Sequence, residues 1–240
     1  MNDATADRKT EPGRAAPSVR VPGRLRRLAA TVSANWFLKL IGIPGFIALF
    51  FVAYFWTLHS TPFPVTTVPV TLLDHFITFR PEALPLYLSL WVYVSLPPSL
   101  LDDRRELFFY GLAATALAVA GLAIFLFFPT TIARPDINWS LHPAFAFMKG
   151  IDAPGNACPS LHVAFAVFSA IWLDRLIRRI GYHPLLRVLN VGWCAGIMYS
   201  TLATKQHVAL DLLAGTVFGM IGAAWKSPGA PPAKVCPGQL

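Results

Sequence analysis

The chain has 240 residues, of which 55% are hydrophobic and only 13% charged, with a mean hydropathy of +0.54. A soluble globular domain carries about a quarter of its residues charged, so this composition excludes one. The net charge of +8 does not indicate nucleic acid, because the cations are distributed among particular loops and not along one stripe.

In chain order, residues 1–35 are rich in Asp, Thr, Pro, Gly, Ala and Arg, which predicts a disordered, basic N-terminus. Six apolar runs follow, at roughly 41–59, 84–101, 107–128, 160–174, 185–203 and 208–225. Each is read as a helix crossing a hydrocarbon core of about 30 Å. The fourth is short, since Asp174 interrupts it and Arg175, Arg178 and Arg179 must snorkel toward headgroups. The first run starts some 40 residues in and is followed by five more, so it reads as an anchor and not as a cleavable signal. The tail, 227–240, is rich in Pro and Gly and is expected to be disordered. The predicted fold is an all-α membrane protein, a six-transmembrane helical bundle over residues 36–226.

Sixteen of the 20 Lys and Arg residues precede the first run, follow the sixth, or lie in the second-to-third and fourth-to-fifth connections. Only Arg80, Arg134, Lys149 and Lys205 fall on the other side. That bias places both termini in the cytoplasm and makes anionic membrane lipid, not nucleic acid, the expected partner of the cations. A bacterial inner membrane fits the compact size. On the predicted outer side, 60–82 contains the apolar stretch Leu72 to Ile77, suited to the interface, and 129–159 is the longest and most polar connection. Three widely spaced cysteines, Cys158, Cys194 and Cys236, predict neither a disulfide framework nor a zinc site. His59, His75, His142 and His183 have no matching neighbours and read as interfacial, as do most of the tryptophans.

Ionisable groups at membrane depth are costly and therefore functional candidates. His207 and Asp211 are four apart, so on a helix they share one face. The carboxylate would orient one imidazole nitrogen and leave the other free to attack; the same pair can also merely staple two helices. His162 follows Pro159 and Ser160. Proline suits a first helical turn, and the free N–H groups of such a turn attract an anion such as phosphate. Ser160 is equally an ordinary N-cap. Arg134 reads as a phosphate clamp and Lys205 as a second cation of that kind, although either could simply touch headgroups. His162, His207 and Asp211 also form a legitimate metal-ligand set. The Pro-Ser before His162 and the cation before His207 suit an anion better, so no metal or other cofactor is expected.

Pro159-Ser160-Leu161-His162 and Ser200…His207…Asp211 together resemble the type 2 phosphatidic acid phosphatase (PAP2) superfamily, whose signatures are KxxxxxxRP, PSGH and SRxxxxxHxxxD. Arg134-Pro135 matches the end of the first signature, with Phe127 at the lysine position and Thr201 at the arginine position of the third. The resemblance implies His207 as the phosphorylated nucleophile, Asp211 as its orienting acid and His162 as the proton donor to the leaving group. Arg134, Ser160, Lys205 and Ser200 would then bind substrate. Leu161 and Thr201 make the chain look more like the branch containing inositol-phosphorylceramide synthases. The implied activity is removal of phosphate from a lipid phosphate or pyrophosphate at the extracytoplasmic face of the membrane. A phosphotransferase acting on a lipid alcohol is the first alternative, and a non-enzymatic transporter or scaffold the second.

Overall fold

The computed structural model describes residues 24–60, 62–133, 137–145, 156–181 and 183–225, and it is mostly helical, 76%. In chain order the elements are α1 (Arg24–Ser33), α2 (Trp36–His59), β1 (Thr66–Val68), α3 (Leu72–Phe76), α4 (Leu84–Leu88), α5 (Leu90–Ser99), α6 (Arg104–Phe127), β2 (Thr130–Ile132), α7 (Leu161–Ile180), α8 (Pro184–Ala203) and α9 (Ala209–Ala224). Three of them, α2, α6 and α8, are long and apolar enough to cross a membrane. At 1.5 Å per residue, the 16 residues of α9 rise only about 24 Å. The run at 84–101 is not one helix but two, α4 and α5, joined at Ser89. The Ser89 hydroxyl donates to the Leu86 carbonyl there, and its backbone stays in the right-handed region (φ −62°, ψ −14°).

Two further departures from the sequence reading have local causes. Residues 24–33, expected within a disordered terminus, form α1, since Arg, Leu and Ala are strong helix formers. The Thr-rich segments of two connections pair as a parallel ladder, Thr66 opposite Thr130 and Val68 opposite Ile132. The fold is thus not purely α.

Helix α7 is the axis of the core. Its Phe165, Phe168 and Trp172 pack with Tyr110 and Phe125 of α6, while Val167 and Leu173 meet Tyr93 of α5 and Ile197 of α8. Buried polar groups lock these helices together: the Tyr93 hydroxyl donates to Asn190 Oδ1 (2.7 Å), and Asn190 Nδ2 donates to the Ala170 carbonyl (2.9 Å). The closest approach is between α7 and α9. A Cβ at Gly215 would lie 2.4 Å from the Ser160 carbonyl oxygen, and one at Gly219 would lie 2.4 Å from that of Ala164. Small residues four apart let two backbones touch, as they do in membrane helix pairs.

The end of the bundle away from the histidines is stitched by its cations. Arg179 pairs with Glu106 at 2.6 Å, and Arg178 and Arg187 both reach Asp174. Arg175 donates to the Ala223 carbonyl at 2.7 Å. The arginines read as snorkelling therefore have protein partners, Arg175 and Arg179 on neighbouring helices and Arg178 on its own. Lys39 is buried there too, donating to the Thr31 and Ser99 carbonyls (2.7 and 2.9 Å) at the ends of α1 and α5, where a cation complements the helix dipoles.

Between α2 on one side and α5 and α6 on the other lies a cavity of about 1010 Å³. Its α2 wall runs from Leu38 to Leu58, which at 1.5 Å per residue is about 30 Å. Phe46, Phe50, Trp91, Val94 and Leu107 are typical of its apolar lining.

Candidate active site

The site is built on the connection from α8 to α9. After α8 ends at Ala203, Lys205 adopts a left-handed conformation (φ 54°), and the N–H groups of Gln206 and His207 both donate to the Thr201 carbonyl (3.1 and 3.2 Å). This tight turn delivers His207 just ahead of α9, whose N-cap is the extended Val208 (φ −109°, ψ 167°). The pairing of His207 with Asp211 is therefore not a meeting on one helical face, as the four-residue spacing suggested. Asp211 instead reaches back over the start of its own helix. Its Oδ1 accepts from the Val208 N–H at 2.7 Å and its Oδ2 meets His207 Nδ1 at 2.8 Å. Asp211 is fully buried and the His207 side chain is 12% exposed, so the ring is held by its Nδ1 edge and Nε2 is the nitrogen left for chemistry.

The start of α7 completes the arrangement. Ser160 is its N-cap, with Oγ accepting from the Val163 N–H at 3.3 Å. Pro159 thus precedes the cap and does not occupy the first helical turn. The Ser160 N–H donates to the Asp211 carbonyl at 3.0 Å, which ties the beginning of α7 to the first turn of α9. One residue into α7, the His162 ring stacks on Tyr87 of α4, with centroids 4.0 Å apart and planes at 12°. His162 Nε2 is buried and has no hydrogen-bond partner among the described residues. His162 and His207 line the same end of the cavity, together with Tyr87, Trp91, Asn156 and Gln206.

The other residues singled out in the sequence are placed elsewhere. The Ser200 hydroxyl is buried and donates to the Ile197 carbonyl of its own helix at 2.6 Å. Lys205 turns its ammonium away from the cavity lining, onto the carbonyls of Asp74 and Ile77 at the end of α3. Arg134 and Lys149 lie outside the described residues. Among the described residues no three His, Cys, Asp or Glu side chains converge as metal ligands.

Asp74 was missed. Its Oδ2 accepts from the N–H and hydroxyl of Thr71 (2.8 Å each), while Oδ1 accepts from the Ala209 N–H at 2.8 Å. One buried carboxylate therefore caps both α3 and α9. The Arg80 N–H donating to the Ala203 carbonyl (2.8 Å) braces the other side of the His207 turn. The Thr71-x-x-Asp74 spacing is a recognisable capping pattern, but its second partner is 135 residues away. Replacing Asp74 by Ala is expected to lower thermal stability by about 2–3 kcal/mol, since three hydrogen bonds to a buried carboxylate are lost. Any turnover should fall with it; thermal unfolding and phosphate release from the same detergent-purified sample measure both.

Comparison with known proteins identifies a family for the chain. The sequence model of the PAP2 superfamily matches residues 106–228, just over half of the chain. No curated protein and no solved structure matches. The matched stretch runs from α6 through α9 and so contains Ser160, His162, His207 and Asp211. Phosphatases and phosphotransferases are the usual members of that superfamily, and this chain belongs to it.

Proposed function

We propose that this protein is an integral membrane lipid phosphatase that works through a phosphohistidine. One observation carries the reading: two imidazoles, one of them oriented by a buried carboxylate, line a long and mostly apolar cavity. A lipid phosphate or pyrophosphate lies with its tail along α2 and its headgroup between His207 and His162. Nε2 of His207 attacks phosphorus while His162 gives a proton to the departing oxygen, and Asp211 steadies the cation forming on His207. The first turn of α7 offers backbone N–H groups to the phosphoryl oxygens. Water then displaces phosphate from His207, with His162 as base. No metal is required by this scheme. Arg134 is retained as a phosphate-binding residue, and Ser160 caps the helix end that offers those N–H groups.

The accompanying topology is six passes through a cell membrane. The helices α4 and α5 form the second pass together, and α7 and α9 supply the two shorter ones. Both termini are cytoplasmic and the histidines extracytoplasmic, as the distribution of Lys and Arg favours. Leu161 and Thr201, which resemble the inositol-phosphorylceramide synthase branch, favour a second reading in which a lipid alcohol accepts the phosphorylated group. Purified protein offered phosphatidate, phosphatidylglycerophosphate and a polyprenyl pyrophosphate, without added metal, is expected to release inorganic phosphate from at least one. Failure on all three, with and without an added lipid alcohol, would remove the proposal.

A further inference from the structure

Two buried polar atoms of the site lack any hydrogen-bond partner among the described residues: His162 Nε2 and Asn156 Oδ1. Both residues line the same cavity as His207. Orphaned buried polar atoms are rare in folded proteins and each needs a reason. For His162 the proposed mechanism supplies one. For Asn156 nothing so far does.

Asn156 is only 8% exposed and is fixed from two directions. Its backbone bridges to Thr130 of β2, and the next two N–H groups donate to the Thr130 carbonyl (3.1 Å) and hydroxyl (2.7 Å). Its Nδ2 donates to the Tyr54 carbonyl of α2 at 3.4 Å. A carbonyl can only accept, so this contact sets which end of the amide is which and leaves Oδ1 as the orphan. An acceptor at this position does not suit phosphoryl oxygens. It suits an O–H.

In the second half-reaction the attacking oxygen must give a proton to His162 Nε2, the other orphan. Water has two O–H groups and satisfies both acceptors at once; an alcohol has one. We propose that Asn156 is a specificity-determining residue of this step. Its Oδ1 accepts one O–H of the water that resolves phosphorylated His207, while His162 takes the proton of the other. The inference rests on the phosphohistidine reading. In the step, the new O–P bond forms as the bond between phosphorus and His207 Nε2 breaks. One water proton passes to His162, and the hydrogen held by Asn156 stays on the oxygen, which leaves as inorganic phosphate. With an alcohol as nucleophile the Asn156 oxygen stays unpaired, so hydrolysis is favoured over transfer by roughly the tenfold that one buried hydrogen bond is worth.

The test uses the full-length protein, radiolabelled phosphatidate as donor and butanol as competing acceptor, comparing wild type with Asn156→Leu. The ratio of butyl phosphate to inorganic phosphate is set within each active molecule, so it does not depend on how much of the variant folds. The expected result is a ratio raised roughly tenfold, with labelled enzyme accumulating because hydrolysis is slowed. An unchanged ratio would overturn the proposal. So would a variant that never acquires label, because Asn156 would then belong to the first half-reaction. Turnover by wild-type enzyme that carries no label on His207 is a separate outcome, which would overturn the phosphohistidine reading and the inference with it.

Discussion

Replacing His207 by alanine is expected to abolish phosphate release from a lipid phosphate, by a thousandfold or more on the order of other lost nucleophiles. The reason lies in how the ring is held. Nδ1 is committed to Asp211 at 2.8 Å, so Nε2 is the one nitrogen of that ring available to attack. The structural cost of the substitution is small by comparison. Asp211 keeps its bond from the Val208 N–H, and its main-chain carbonyl keeps the bond from Ser160. Losing the single remaining partner should cost about 1–2 kcal/mol. Activity and thermal unfolding on one preparation separate the two effects. A variant that unfolds at nearly the wild-type temperature yet still turns over would remove His207 from the chemistry.

Gly215→Ala is the second large effect, and it reaches the site through the backbone. A methyl group at 215 would sit 2.4 Å from the Ser160 carbonyl oxygen, a contact that no side-chain rotation can relieve. The start of α7 must then move away from α9, and the bond from the Ser160 N–H to the Asp211 carbonyl is the first to go. Overpacking of this kind costs about 1–3 kcal/mol. The separation of His162 from His207 changes with it, and a displacement near 1 Å costs on the order of a hundredfold in rate. Gly192→Ala on α8 is the control, since nothing lies within 4 Å of a Cβ there. It should be neutral or raise stability by about 0.5–1 kcal/mol, because alanine is the better helix former. If the two substitutions behaved alike, close contact between α7 and α9 would not be what positions the histidines.

The sequence singled out the candidate residues of this site but not how they are held. His207, Asp211 and His162 stand out because polar residues are scarce in a chain so apolar, and the structure brings all three together. The helical-face argument for the pair was nevertheless wrong in its geometry. Lys205 and Val208 carry the chain through left-handed and extended conformations before α9 begins, and a cap contact has the same spacing as a helical one. Ser200 and Lys205 show the opposite failure. A hydroxyl or ammonium beside a candidate catalytic motif looks like a ligand for phosphate, but each donates to a carbonyl instead, at Ile197 for the first and at Asp74 and Ile77 for the second.

The rest was hidden by distance along the chain. The Asp74 bond to Ala209 and the pairing of Thr66 with Thr130 join segments that no local pattern connects, and strands of three residues are too short for alternation to register. Asn156 carries no motif at all. Its interest comes only from an oxygen without a partner among the described residues, in the wall that it shares with His162. The long apolar runs were legible as helices, but where each begins and ends depends on Ser89, the left-handed Gly181 that closes α7 beyond Asp174, and the turn at Lys205, which composition alone does not weigh.

The claim on which the mechanism depends is that phosphorus becomes bonded to His207. Wild-type enzyme quenched in base during turnover of radiolabelled phosphatidate, then digested and mapped, tests it directly. The account predicts an acid-labile, base-stable label on the peptide carrying His207. Rapid turnover with no label on that peptide, or with label on another residue, would contradict it.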